Sequence, residues 1–522
     1  MHWYPLQAVL AVLYIVGLLV VGILAGRKKH DSNQFLNATG SLPFWLCATA
    51  CIASNCGSLD VIAMMALGAQ YGMLACHFYW IGAVPALIVL GFWLIPAYAR
   101  GHYPTVLDFI GSYCGARTRL VVTVSMALMM LLLSGVCLCA AAQAIATWLG
   151  WSFLKAVLLT IVVVSFYTAL GGFRATIYGE LIHFAVVLAA VVPLLFFVMR
   201  DFGGFGKFLA SVPANRMHAW QSLPIVSPHA VMDRLGLIVG LGFVLSFGYW
   251  STDFVQMQRA LAVRDKDRVA RIPLTVAAAK TVFAFFIVLP GVAAPLVLAQ
   301  RANANYNATL PLLMQHYYSP AWLALGFLGL TASLVSTFAN NVAGFTSACV
   351  QGIYQHWIRP SLPDAHYVAA SRLCNLAAIA LSIGSAYLAL HYLSLMEYIQ
   401  LILSTFNAPL FALVAIAALA PELAAAGSFG GFLIGVAAAL LHQALVRTGV
   451  LHYGSQMSAN FYCAIASFSL SVLGVWSIAA LRKTEHTEHH SRVRVRLHLS
   501  RATVLWAIVV FGVCAFLNGL VW

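Results

Sequence analysis

Apolar stretches of about 20 residues, each long enough to cross a bilayer as a helix, recur along this chain with short polar connections between them. Fourteen are read, at roughly 7–26, 44–70, 74–98, 119–148, 153–170, 180–200, 235–257, 274–300, 321–355, 374–394, 396–420, 428–447, 460–481 and 502–522. They predict an all-α integral membrane protein forming a single membrane domain over 1–522. Two stretches depart from the uniformly apolar pattern. The second carries Ser54, Asn55, Gly57, Ser58 and Asp60 at its centre, and the seventh carries Ser246-Phe-Gly-Tyr-Trp-Ser-Thr-Asp253. An unpaired polar group in hydrocarbon costs several kcal/mol, so such residues must face protein, water or an ion. Both stretches are therefore expected to be interrupted helices, the seventh around Gly248.

Composition and charge sharpen this picture. The 522 residues are 62% hydrophobic and only 8% charged, where a soluble domain carries about 25% charged residues. The first stretch lacks a basic leading segment and a small-residue cleavage site, so it is read as a helix, not a signal peptide. With connections alternating sides, one side holds twenty Lys and Arg and the other seven. The positive-inside rule then places both termini outside, in what is expected to be a bacterial inner membrane. The net charge of +14 is thus a topology signal, and no nucleic-acid partner is needed to explain it. Two external segments, 201–234 and 301–320, are long enough for short helices over the mouth of the protein. The eleven cysteines lie mostly within spans, where they act as small packing residues. The three histidines of Thr484–His490 are read as a solvated loop, with no metal site other than one for sodium. No nucleophile or metal-ligand spacing supports an enzyme.

Polar interruptions at matching positions, five spans apart, mark a binding site near the midplane in secondary transporters. Spans 2–6 and 7–11 then form two repeats, about 44–200 and 235–420. The ninth span adds Ser333, Ser336 and Thr337 on one helical face. That spacing suits ordinary helix packing, and equally a hard cation seeking oxygen ligands. Asp60, Asp253, Lys280 and Glu180 are ionisable residues in or at the edge of spans. Lys280 is either part of a pathway or a snorkelling lysine, and Glu397 is expected to reach interfacial water.

Three motifs carry a family resemblance. Tyr249-Trp-Ser-Thr-Asp253 with Gln258-Arg259-Ala-Leu-Ala, Leu289-Pro-Gly-Val-Ala293, and Tyr167-Thr-Ala-Leu-Gly-Gly172 followed by Ile177-Tyr178 resemble signatures of the sodium:solute symporter family, closest to its sodium/glucose branch. The resemblance implies a five-plus-five inverted-repeat (LeuT-like) core. One extra helix, 7–26, precedes it, and three, 428–447, 460–481 and 502–522, follow. It implies a sodium site formed by the carbonyls of Ala53, Cys56 and Ser333 with the hydroxyls of Ser336 and Thr337. Glu180 falls where some relatives hold a second ion. For the solute it implies Asn55, Asp60, Ser246, Tyr249, Lys280 and Gln400, with Tyr249 as an aromatic gate. Departures are Leu59, Ser246 and His77-Phe-Tyr-Trp80, the last replacing a glutamate of the sugar transporters. The expected activity is sodium-coupled import of a small polar, sugar-like solute by alternating access, without a cofactor. Proton coupling through Asp60, Glu180 or Asp253, and a sensor that binds solute without moving it, stay open.

Overall fold

The structure, a computed structural model, describes residues 42–520 except 102, 104, 171–172, 221–232, 254–255, 257–258, 261, 265–267, 299–304 and 483–500. The expected first span, the Gly171-Gly172 pair of one motif and the histidine loop 484–490 lie outside these residues. Among the described residues the chain is helical, and its single bridge pairs Leu42 with Val263 in parallel. Eleven helices among the described residues are long and apolar enough to cross a membrane, and three shorter apolar helices are Phe44–Asn55, Phe153–Ser165 and Gly236–Thr252. The count of fourteen spans is therefore not established. One boundary moves most. The tenth helix runs over Asp364–Ala389, ten residues ahead of the expected start, because its polar first turns carry Asp364, His366 and Arg372 and mask it in the hydropathy pattern.

The second span is broken as expected. Helix Phe44–Asn55 stops, Cys56 (φ −98°, ψ 31°) and Gly57 (φ −75°, ψ −175°) turn the chain, and helix Ser58–Tyr71 begins. The seventh span differs from expectation. It stays helical through Gly248 to Thr252, and its break falls at Asp253 (ψ 104°). There the Asp253 carboxylate accepts the Gln256 N–H at 3.2 Å, as an N-cap does. Gly248 serves close packing: a Cβ there would stand 3.2 Å from the Phe411 Cβ.

Small residues set the registration of the broken helix against its main neighbour, Arg271–Leu298. A Cβ on Gly68 would lie 2.7 Å from the Val288 carbonyl oxygen, and one on Gly291 only 2.3 Å from that of Met65. Glycine allows the two backbones to touch, as in other membrane helix pairs. Gly291 belongs to the Leu289–Ala293 motif, whose physical content is this contact. It holds the Arg271–Leu298 helix so that Lys280 reaches the break in the second span. Gly291→Ala is expected to cost about 1–3 kcal/mol through overpacking, read as a lowered melting temperature of purified protein.

The two segments expected to hold short helices do so at Phe205–Ser211, Ala214–Met217 and Thr309–Tyr317. The Arg216 guanidinium donates to the Gly68 and Ala69 carbonyls at 3.2 and 2.5 Å, capping the C-terminal end of helix Ser58–Tyr71 where cations complement the helix dipole. Burial pulls the pKa of Arg216 below its ordinary value.

Candidate functional site

Breaking a helix frees carbonyls on one side of the break and N–H groups on the other. Here both ends find charged or polar partners. The Ser58 N–H donates to Ser333 Oγ at 3.1 Å. Asp60 sits in the first turn of the second half, where the helix dipole favours an anion. The carbonyl of Asn55, last residue of the first half, accepts from Lys280 Nζ at 3.4 Å. Lys280 Nζ also lies 3.0 Å from Asp60 Oδ2 and 4.5 Å from the Tyr79 ring centroid, and the Tyr79 hydroxyl donates to the same Oδ2 at 2.7 Å. Lys280 is buried, not snorkelling; its side chain is 4% exposed, against 19% for Asp60.

This cluster forms part of the wall of a cavity of about 220 Å³. All six residues named for the solute, Asn55, Asp60, Ser246, Tyr249, Lys280 and Gln400, line it. Gln400 is buried, and its Oε1 has no partner among the described residues. A second cavity of about 110 Å³ lies beside the first, lined by Ala53, Ser333, Ser336 and Thr337 together with Glu180, Asp253 and Gln256. Ser54, Tyr249, Thr337 and Asn341 face both cavities. Tyr249 therefore stands between them. Of the five residues named for sodium, four share the smaller cavity; Cys56 sits at the bend, buried, and lines neither. The Thr337 hydroxyl donates to the Ser333 carbonyl at 3.0 Å.

Glu180 is paired with a cationic side chain. Its carboxylate pairs with both Nε (3.1 Å) and Nη2 of Arg259 and accepts from Asn340 Nδ2 at 2.9 Å. Arg259 and Glu180 are 2% and 6% exposed. The same segment is tied down twice more. Gln256 Nε2 donates to Ser54 Oγ at 2.8 Å, and the Arg264 N–H donates to the Leu42 carbonyl at 2.8 Å. Gln256, Arg259 and Arg264 thus tie the first half of the second span, and Leu42 ahead of it, to the start of the sixth.

One sequence expectation is corrected at the opposite end. Glu397 does not reach interfacial water: it is buried, and accepts from Gln70 Nε2 at 3.0 Å and the Tyr71 hydroxyl at 3.3 Å. Its backbone N–H donates to Ser394 Oγ at 3.4 Å. Ser394-Leu-Met-Glu397 is a capping-box sequence, a signal present in the chain that hydropathy alone passes over. His77 turns from the cavities toward the covering segment, its Nε2 2.8 Å from the Ala219 carbonyl and its ring 4.3 Å from that of Trp220. The neighbouring Tyr79 is the residue that sequence reading missed, since only the packing of the third span against the second brings its hydroxyl to Asp60.

The sequence profile of the sodium:solute symporter family matches residues 35–435. Sodium/glucose cotransporter 1 of Oryctolagus cuniculus is 23% identical over 463 residues, covering 81% of this chain and 70% of that protein. The sodium/glucose cotransporter of Vibrio parahaemolyticus is 24% identical over 393 residues, covering 71% of each. Among solved structures, a Na+-coupled sialic acid symporter in its substrate-bound outward-open state superposes with a TM-score of 0.73 at 16% identity, over 92% of this chain and 98% of that one. Mhp1, a nucleobase-cation-symport-1 family transporter, gives 0.53 at 14% identity, over 87% and 96%. These structural likenesses establish the fold, the inverted-repeat transporter architecture expected from the motifs.

Proposed function

We propose, for a chain that belongs to the sodium:solute symporter family, that it couples the entry of one small, polar, sugar-like solute to sodium by alternating access. The observation that carries this reading is the pair of adjoining cavities at the broken second span. One is lined by Ala53, Ser333, Ser336 and Thr337, which offer carbonyl and hydroxyl oxygens, beside the carboxylates of Glu180 and Asp253; the other holds the Asp60–Lys280 pair and the amides of Asn55 and Gln400. Sodium, a hard cation, suits hydroxyl and carbonyl oxygens, and neutral ligands allow its release. Because Ser333 and Thr337 belong to the helix that also caps Ser58, sodium there would fix the break around which the solute cavity is built. Sodium and solute would then each tighten the other, with a coupling free energy of about 1–3 kcal/mol. An inside-negative potential adds about 2.3 kcal/mol per charge per 100 mV.

The capture of Glu180 by Arg259 supports a single coupling ion. On this reading, opening toward the Leu42 side requires the bonds of Gln256, Arg259 and Arg264 to part, and the bonds of Arg216 and Glu397 hold the other side. The test is uptake by purified protein in liposomes, across sugars, carboxylates and amino acids, under a sodium gradient and under a pH gradient without sodium. Uptake that needs sodium supports the reading; uptake driven by the pH gradient alone would replace it with proton coupling. Lys280→Ala is expected to lower solute affinity by tenfold or more (about 1.4 kcal/mol) with sodium affinity nearly unchanged, measured by titrating each ligand. Equal loss of both would make the lysine structural.

A further inference from the structure

We propose that Asp60 is a specificity-determining residue: it cancels the charge of Lys280 in the cavity wall, so that the site takes uncharged, hydroxyl-rich solutes and turns carboxylates away. This rests on the reading of the larger cavity as the solute site. A lysine in a transporter cavity ordinarily invites an anion. Here the ammonium is already surrounded, by Asp60 Oδ2 at 3.0 Å, the Asn55 carbonyl at 3.4 Å and the Tyr79 ring face. The pair is also unevenly exposed. At 4% against 19%, the cavity meets the aspartate before the lysine.

The two bonds to Asp60, from Tyr79 and Lys280, both fall on Oδ2. Oδ1 is left as an acceptor. The other polar groups named for the solute, Asn55, Ser246, Tyr249 and Gln400, are uncharged, and the Oε1 of Gln400 is a second buried acceptor without a partner among the described residues. A hydroxyl group can donate to these oxygens. A carboxylate brings only acceptors, meets Asp60 as a like charge and finds no free cation among the described residues of the lining, an unfavourable juxtaposition. An ammonium group fares little better, because Lys280 stands directly behind Asp60. Specificity of this kind comes from a repulsive element as much as an attractive one.

The experiment measures binding to full-length protein in sodium buffer with glucose, galactose and myo-inositol, the uronates glucuronate and galacturonate, and the amine glucosamine. For the wild type, at least one neutral probe is expected to bind, with its acidic counterpart about 100-fold weaker. Asp60→Asn uncovers Lys280 and is expected to shift the ratio at least tenfold toward the uronate. Lys280→Gln uncovers Asp60 and is expected to shift it toward glucosamine, and decides the matter should Asp60→Asn not fold. Wild-type protein that binds a uronate as tightly as its parent sugar, or two folded variants with unchanged ratios, would overturn the proposal. So would the absence of binding by every neutral probe. Stabilisation by sodium in that same sample separates this outcome from failure of the symport reading, which would show no sodium effect either.

Discussion

Replacing Ser336 and Thr337 together by alanine is expected to abolish sodium-stimulated uptake while leaving the protein folded. Both residues line the smaller cavity with Ala53 and Ser333, and the pair would supply the only side-chain oxygens among the proposed ligands besides backbone carbonyls. A bond from a neutral group to a charged one contributes about 1.5–3 kcal/mol, so losing two should weaken sodium binding by about 100-fold or more. The folding cost is small by comparison. Thr337 bonds back to the Ser333 carbonyl of its own helix, an interaction that slightly disfavours a helix, and alanine is a good helix former. The Ser333 hydroxyl, which caps Ser58, is left intact by this design. Uptake with and without sodium, beside a thermal melt, checks the prediction; wild-type sodium dependence in the double variant would remove these residues from the ion site.

Arg259→Ala is expected to be the most destabilising substitution on the Leu42 side. The guanidinium is almost wholly buried against Glu180, and removing one partner of a buried ion pair costs about 3–5 kcal/mol because the other charge is stranded. Glu180→Ala with Arg259→Ala should recover a large part of that loss, since no uncompensated charge remains. A melting series of wild type, single variants and the pair measures it, as a double-mutant cycle. On the proposed reading the pairing also bears on the ion count. With Glu180 held by Arg259 and Asn340, the wild type is expected to carry one positive charge per uncharged solute, read from the reversal potential. Two charges per solute would mean that the pair opens to admit a second ion.

Much of the architecture follows from residue order. The apolar spans, the break at Cys56–Gly57 and the family motifs are local properties: a run of twenty apolar residues, or a polar cluster inside one, is decided by transfer free energy whatever packs beside it. Even Glu397 was legible in principle through its Ser394 capping box. The seventh span shows the limit of such reading. Gly248 among bulky residues suggested a hinge, yet the glycine is there for contact with Phe411, and the break follows five residues later at Asp253.

By itself, then, the sequence determined the membrane class, the repeat architecture, the broken second span and which residue types meet there. Tertiary structure alone decided their partners. Glu180 reads as a candidate second-ion residue, and only the fold shows Arg259, seventy-nine residues away, paired with it; Lys280 reads as a pathway or a snorkelling lysine, and only the fold shows Asp60 and Tyr79 covering it. The physical reason is the same in both cases. Charge inside a membrane is tolerable only when paired, and pairing depends on which helices touch, here on glycines that let two backbones approach closely enough for Lys280 to reach the break.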